Sequence, residues 1–495
     1  MSINKLRALI GDVMDLRHAA DLIEWDERVC MPPGGLAVHG EMSAALRRLA
    51  HEKFASTQVG DALDAATQSV AGDDPDSTNA RMVSVLARDY ARATRVPADF
   101  VAEHAAAVSA AQHTWAEARA KSDFARFAPH LEKIVELKRR YVAFFPPADH
   151  PYDVLLDEYE PGMKTADVRR LFESLRTRQV AIIEALAERP APSATFLGAT
   201  YVENDIRRFA EDVVTAFGFD WTRGRQDKSV HPFATGIGAS DVRITTRWVE
   251  GQPLALLFGT MHEAGHAMYE QGVAGEHQRT ILEGGASLGV HESQSRLWEN
   301  MVGRSRPFWN HFFPKLQAVS SAQLGAVSAA TFYDAINRVQ PTLIRVEADE
   351  ATYNLHIMLR VELELALIEG SLRVAELPDA WNTRMKKYLG LTPPDDASGV
   401  LQDIHWAAGL FGYFATYTIG NVIAAQLWSR FGEVHAGRDS DIARGDFSAL
   451  LAWLRAELHQ HGRKFQPQEL VERITGSPVD PEPYLRYLET KYAMH

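Results

Sequence analysis

The segment 256–269 constrains the fold more than any other, because it is apolar on nearly every side and yet contains two histidines and a glutamate. Its apolar residues cover all faces of an α-helix, and a helix with that pattern is buried. Buried imidazole and carboxylate groups need partners, since leaving them unpaired is costly. The chain must therefore build a core around this helix and provide partners for the polar groups within it.

These polar residues form the pattern His262-Glu263-Ala264-Gly265-His266. Residues i and i+4 share one face of a helix, so both imidazoles can bind one metal ion. Glu263 lies roughly 100° further around the helix, where it can take a proton from a water molecule on the open side of the metal. The pattern is typical of zinc hydrolases, in which the two histidines hold the metal and the glutamate is the general base.

A catalytic zinc ion needs a third protein ligand. Residues 267–275 contain no histidine, which excludes the extended motif with a third His. We predict a helix over 287–302, and Glu292 lies in its first turns among small polar residues that could hydrogen-bond its carboxylate. We therefore favour Glu292, while Glu283, just before this helix, and Glu299, two turns further along it, remain open alternatives.

Helical periodicity dominates the rest of the chain and predicts a mostly α protein. No linker divides it, so we expect one large domain over residues 1–495, with 1–200 as a helical wall or lid and 201–495 as the catalytic part. The exception is 228–248, where alternation with a period of two predicts a small antiparallel sheet just before the metal helix. We also predict a long helix over 344–370.

One acidic and aromatic segment, 152–162 (YDVLLDEYEPG), stands out from the helical pattern. It follows two proline-containing breaks and contains no catalytic motif. We predict that it lies at the surface or at the rim of a cleft.

Composition narrows the class of partner and the compartment. The net charge is −13, which disfavours nucleic acids and anionic membranes, and no apolar run approaches the length of a membrane span. Cys30 is the only cysteine, and the first residues lack the apolar core of a signal peptide. We expect a cytoplasmic protein without disulfides.

Several short motifs follow one another through the second half of the chain. They are His231-Pro232-Phe233, 241–246 (DVRITT), 262–266 (HEAGH) with 291–294 (HESQ), 344–349 (IRVEAD), 399–406 (GVLQDIHW) and 412–417 (GYFATY). In this order they resemble the motifs of the carboxypeptidase Taq family of metallocarboxypeptidases. The first 200 residues match only in their general helical character.

The resemblance implies an almost entirely α-helical fold with a deep groove, the metal at its floor, and a homodimer. It implies removal of single residues from the free C-terminus of peptides, with broad specificity and with proline disfavoured. It also implies one divalent ion per chain, zinc or else cobalt, held by His262, His266 and Glu292, with Glu263 as the base.

The reaction and the substrate need further groups. An oxyanion needs a hydrogen-bond donor, for which His405, oriented by Asp403, Tyr413 and Tyr417 are the candidates. We favour His405 and Tyr417, with Tyr413 as a substrate contact, although the sequence does not separate the two tyrosines. A terminal carboxylate is well matched by arginine. We favour Arg345 over Arg243, and His231 is a further residue that could shape the groove.

Two alternatives to a carboxypeptidase stay open at this point. The first is an endopeptidase or dipeptidyl carboxypeptidase of the related helical oligopeptidase type. The second is a helical scaffold without enzymatic activity, which keeps a structural metal or none.

Overall fold

The computed structural model describes residues 2–493, and α-helices make up most of this part of the chain. The first nine helices are α1 (Ser2–Val29), α2 (Leu36–Phe54), α3 (Thr57–Ser69), α4 (Thr78–Arg95), α5 (Ala98–Lys121), α6 (Phe124–Val142), α7 (Pro151–Leu156), α8 (Thr165–Ala187) and α9 (Glu203–Phe217). They are followed by three strands, β1 (Gly224–Lys228), β2 (Ala234–Gly236) and β3 (Val242–Thr246).

The helix with the two histidines comes directly after the strands. The elements from there to the end are α10 (Pro253–Gly272), α11 (Leu288–Arg296), a π-helical turn (Leu297–Val302), α12 (Arg306–Val319), α13 (Ser321–Leu324), α14 (Ala329–Ile336), α15 (Tyr353–Glu369), α16 (Leu377–Leu389), α17 (Ala415–Val434), α18 (Arg438–Ala443), α19 (Ser448–Glu457), α20 (Pro467–Thr475) and α21 (Glu482–Lys491). The predicted mostly α fold is confirmed.

Local chemistry explains where the key helices begin and end. Pro253 opens α10, at a position where a missing N–H costs nothing. The Ser287 hydroxyl accepts a hydrogen bond from the Val290 N–H at 3.0 Å and caps the start of α11. Gly370 ends α15 with φ 83°, a left-handed conformation that favours glycine.

Buried apolar side chains form two clusters. The larger one extends from α5 to α21 and encloses α10, whose Leu256, Met261 and Ala264 are fully buried. The smaller one lies among α1–α4 and includes only Ile281 and Leu282 from the rest of the chain. The first four helices therefore form a layer with its own apolar core, attached near the loop that precedes α11.

The small sheet lies against α10, but the prediction of an antiparallel sheet is wrong in part. Its order is β1-β3-β2, with β1 parallel to β3 and β2 antiparallel to it. In the register, Gly224 is paired with Val242 on one side of β3, and Ala234 with Ile244 on the other. The period of two identifies strand residues, whereas the direction of pairing depends on the path of the connecting loop.

Two other local predictions are also corrected. The expected helix over 344–370 begins only at Tyr353, because the Asp349 carboxylate accepts hydrogen bonds from the backbone N–H groups of Ala351 and Thr352 and ends the preceding loop. The segment 152–162 is mostly buried rather than at the surface, and its Tyr152 is fully enclosed.

None of the helices in the described part of the chain combines the length and the apolar character that crossing a membrane requires.

Candidate metal centre

Close backbone contact between α10 and α11 sets the geometry of the centre. A Cβ atom added at Gly265 would lie 2.6 Å from the Gln294 carbonyl oxygen and 2.7 Å from the Ser295 Cα. Likewise, a Cβ atom at Gly420 of α17 would lie 2.7 Å from the Glu292 side chain. Glycine at these two positions lets both α10 and α17 pack closely against α11, so that side chains of the three helices come together.

The two histidines of α10 and Glu292 of α11 form one cluster. The Glu292 Oε2 atom lies 3.6 Å from the His262 Nε2 atom and 3.4 Å from the His266 Nε2 atom, and the three possible ligand atoms all lie within 4.8 Å of one another. Ligand atoms around a tetrahedral zinc ion with bonds of ~2.1 Å are about 3.4 Å apart. The donor set and its spacing therefore fit a zinc-sized divalent ion.

The outer nitrogen of each histidine is bound by a different group. His262 Nδ1 lies 2.9 Å from the Glu299 carboxylate. His266 Nδ1 lies 2.5 Å from His291 Nδ1, and the other nitrogen of that ring lies 2.7 Å from Glu270. Such contacts orient the rings and leave Nε2 free to bind a metal.

Sequence reasoning missed these supporting residues. From the sequence, Glu299 is only an alternative metal ligand, and neither Glu270 nor the side chain of His291 has a predicted role. A signal existed for Glu299, because a residue seven positions after Glu292 lies on the same face of a helix. No comparable local signal links Glu270 to His291, since they come from different helices. Glu283 contacts the Arg279 N–H at 2.9 Å and His18 at 3.9 Å, away from the cluster.

Charge favours ionised Glu292 and neutral His266. Burial opposes ionisation of Glu292, but neighbouring positive charge, that of Arg296 above all, outweighs it and holds the pKa of this carboxyl well below its ordinary value. Arg296 donates to Glu292 Oε1 at 2.6 Å. Burial lowers the pKa of His266 to about 3, which keeps the lone pair that a metal requires.

Glu263 lies beside the cluster but belongs to another face of α10. It is 7% exposed, and its carboxylate makes no hydrogen bond within residues 2–493. Burial raises the pKa of Glu263 to about 7, against the opposing charge of His262. A buried carboxylate without a partner next to a metal site is able to exchange a proton there.

The predicted histidine and tyrosines lie together at the start of α17 and in the loop before it. His405 Nε2 is 3.2 Å from the Tyr417 hydroxyl, and the Tyr413 ring is 5.5 Å from the Tyr417 ring. Burial raises the pKa of Tyr417 well above its ordinary value, so its hydroxyl keeps the proton that it could donate. Because Gly420 brings α17 against Glu292, this group lies on the metal side of the helix.

Asp403 does not orient His405 as expected. Its carboxylate lies 3.9 Å from His405 Nδ1, which is too far for a hydrogen bond. Asp403 instead accepts from Arg345 at 2.8 Å and from Arg360 at 2.7 Å. Its role in the structure is to hold two buried arginines.

The candidate substrate arginines are both paired with carboxylates. Arg345 is held by Asp403, donates to the Tyr353 hydroxyl at 2.9 Å, and packs on the Tyr417 ring, with a side chain that is 7% exposed. Arg243 is held by Asp241 at 2.7 Å, with a side chain that is 16% exposed. The third candidate, His231, is exposed beside the sheet.

Comparison with known proteins agrees with this geometry. The sequence profile of the carboxypeptidase Taq (M32) metallopeptidases matches residues 5–492. The chain is 44% identical over 482 residues to thermostable carboxypeptidase 1 of Thermus thermophilus, covering 95% of this chain and 94% of the relative. It is 35% identical over 486 residues to carboxypeptidase 1 of Bacillus subtilis, covering 98% and 97%.

A solved structure extends the similarity to the whole fold. The crystal structure of the M32 carboxypeptidase from Deinococcus radiodurans R1 superposes with a TM-score of 0.97 at 41% identity, and the match covers 100% of this chain and 99% of that one.

Proposed function

The chain belongs to the carboxypeptidase Taq (M32) family of metallopeptidases, and we propose that it is a metal-dependent carboxypeptidase that removes single amino acids from the free C-terminus of peptides. The observation that carries this proposal is the convergence of His262, His266 and Glu292, with the unpartnered Glu263 beside them. A structural metal site needs no free carboxylate at its edge, whereas a hydrolytic site does.

We propose that His262, His266 and Glu292 hold one divalent ion per chain. Two imidazoles and one carboxylate suit zinc best, and cobalt, which accepts similar ligands, is the alternative. When bound, the ion supplies Lewis acidity towards the scissile carbonyl and lowers the pKa of a water molecule. His291 and Glu299 keep the two imidazoles in the orientation that this requires.

In the proposed reaction, Glu263 is the general base. Its carboxylate takes a proton from the attacking water and later delivers that proton to the departing amine. His405 and Tyr417 provide hydrogen-bond donors to the negative oxygen that forms on the carbonyl, and Tyr413 lines the substrate position beside them.

For the terminal carboxylate of the substrate we propose Arg345, with Arg243 as the alternative and His231 as a residue that shapes the groove. The contact of Arg345 with the Tyr417 ring supports this proposal. Arg345 already forms an ion pair with Asp403, so its guanidinium would bind the Asp403 carboxylate and the substrate carboxylate at the same time. Arg243 has the more exposed side chain, so replacement of each arginine by lysine and comparison of KM values would separate the two.

The resemblance to the family also supports several wider proposals. We propose broad specificity with proline disfavoured, a homodimer, a cytoplasmic location, and residues 1–200 as the wall or lid of the groove in a single domain. The separate apolar cluster among α1–α4 agrees with a lid that is only partly joined to the rest. The net charge of −13 agrees with peptide substrates rather than nucleic acids.

The decisive experiment compares two versions of one peptide, one with a free C-terminus and one with an amidated C-terminus. Mass spectrometry of the products should show loss of one residue at a time from the free peptide, and no cleavage of the amidated one. Equal cleavage of both would favour an oligopeptidase-type endopeptidase, and release of dipeptides would favour a dipeptidyl carboxypeptidase. No turnover of either peptide by the metal-loaded protein would favour the scaffold.

A further inference from the structure

The segment 152–160, which the catalytic scheme does not use, connects the two halves of the proposed active site. Tyr152 is fully buried and Glu160 is 1% exposed, although the segment is acidic and aromatic. At its outer side, Arg92 of α4 donates to Asp157 at 2.6 Å and to the Val154 carbonyl at 3.2 Å. The segment is therefore fixed in place from the side of the first four helices.

One end of this segment holds the start of α11. The Leu288 N–H donates to the Tyr159 carbonyl at 3.1 Å, and the Gly289 N–H donates to the Glu160 carboxyl. A Cβ atom at Gly289 would lie 2.6 Å from Glu160 Oε1, so the approach leaves no room for a side chain. These two N–H groups belong to the first turn of α11, where the helix itself provides no acceptors.

Glu292 lies one turn after Gly289 on the same helix. A helix is stiff over one turn, so the position of the first N–H groups sets the position of the Glu292 backbone. The contact of Glu160 with Gly289 is thus transmitted to the third metal ligand.

The same segment also contacts the tyrosine side of the site. The Tyr159 ring packs edge-on against the Tyr413 ring at 5.2 Å. The Tyr152 hydroxyl donates to Glu364 at 2.5 Å, and this carboxyl also accepts from Trp406 Nε1 at 2.9 Å and from the Gly412 N–H at 3.0 Å. Trp406 and Gly412 lie at the two ends of the loop that follows His405.

We propose that segment 152–160 is a positioning element of the active site, in which Glu160 sets the place of Glu292 and Tyr159 sets the place of Tyr413. It spans the distance between the metal ligand Glu292 and the substrate-lining Tyr413 and keeps that distance constant. The proposal rests on the proposed function, since it assigns the segment to the same site. Glu160 and Tyr159 are positioning residues and not catalytic ones.

The first test measures metal affinity, which does not depend on turnover. Glu160→Leu removes the acceptor of the Gly289 N–H, and we expect the zinc dissociation constant, from competition with a chromophoric chelator, to rise about tenfold. Glu160→Gln keeps an acceptor oxygen in the same place and should stay within about threefold of the wild type. The matched control is Glu132→Leu, at an exposed glutamate with no ion pair in the described chain.

A second variant keeps the test informative if Glu160→Leu does not fold. Gly289→Ala forces the Glu160 carboxyl away from the helix start and should also weaken zinc binding, with the acid itself unchanged. Circular dichroism identifies the variants that are folded.

The third variant, Tyr159→Leu, keeps the carbonyl that binds Leu288 but removes the ring that supports Tyr413. We expect an unchanged zinc dissociation constant and a fall in kcat of roughly tenfold or more, because small displacements of reacting groups are costly. The Glu160 variant should change zinc affinity, whereas the Tyr159 variant should change kcat alone. General destabilisation of the fold would not separate these two quantities.

The proposal is overturned if folded Glu160→Leu and Gly289→Ala both bind zinc as tightly as the wild type, or if Tyr159→Leu alters zinc affinity and kcat together. Failure of the proposed function looks different, because the wild type itself would then bind no zinc or release no amino acid.

Discussion

The effect of Glu299→Gln on metal binding is a sharp test of how the centre works. Glutamine has the shape of glutamate, and its amide oxygen can still accept from His262 Nδ1, now 2.9 Å from the carboxylate. What it removes is the negative charge, which lies within 3.4 Å of both Arg296 and Arg304. The substitution therefore leaves these two cations with less compensation beside the metal site.

The size of the effect follows from the geometry. A metal on His262 Nε2 lies roughly 7 Å from the Glu299 carboxylate, across the imidazole ring, with a bond of ~2.1 Å. At an effective dielectric constant of about 20, one negative charge at that distance from a divalent ion contributes about 4.7 kcal/mol, or roughly 3,000-fold in the dissociation constant. This Coulomb figure is an upper bound, and the loss of about 10–100-fold that is typical when groups supporting a metal ligand are changed is the smallest effect that we expect.

Competition between the protein and a chelator of known affinity measures the dissociation constant directly, with Glu132→Gln as the charge-matched control at an exposed site. Glu299→Asp retains the charge but shortens the side chain, so it should fall between the wild type and Glu299→Gln. A dissociation constant of Glu299→Gln within threefold of the wild type would refute the reasoning that this charge acts on the metal.

Four other changes test neighbouring parts of the site. Glu263→Gln should lower peptide turnover by about 10²–10⁴-fold with its zinc content, measured by elemental analysis, unchanged; loss of the metal as well would point to a structural role. Tyr417→Phe should lower kcat by about 10²–10³-fold at nearly constant KM, and steady-state kinetics with equal effects on both would contradict oxyanion stabilisation. Gly420→Ala should reduce the free energy of unfolding in urea by about 1–3 kcal/mol, because its Cβ meets the Glu292 side chain, and an unchanged midpoint would show that α17 can move. Removal of the metal with a chelator should abolish turnover. Zinc added back at about 100 times its dissociation constant should raise the free energy of unfolding by about 2.7 kcal/mol, and an unfolding temperature that does not change with zinc would argue against the site.

Much of the local structure follows from the amino-acid order. Helical periodicity predicts most of the helices, and the apolar run around His262 and His266 predicts both their shared face and the burial of α10. The spacing to the next helix favours Glu292, which the structure brings to the two histidines. These features depend on residues within a few turns of one another. The period of a helix or strand shows which of these residues share a face, so such features can be predicted from the sequence.

Other features depend on contacts between segments that are far apart in the chain. No periodic pattern in the sequence predicts these contacts. They are the parallel pairing of β1 with β3, the His266–His291–Glu270 contacts, and the pairing of Arg345 with Asp403. The expected contact of Asp403 with His405 fails for the same reason, since neighbours in sequence need not be partners in space.

The sequence by itself determined that this chain is mostly helical and that one buried helix presents two histidines on one face. Only the tertiary structure decided which polar residues support them. From the sequence, Glu160 is expected at the surface or at a cleft rim, where charged residues usually lie, and Glu299 is only an alternative metal ligand. Both are enclosed in the folded protein, where donors from the first turn of α11 and from the outer nitrogen of His262 offset part of the cost of burying them.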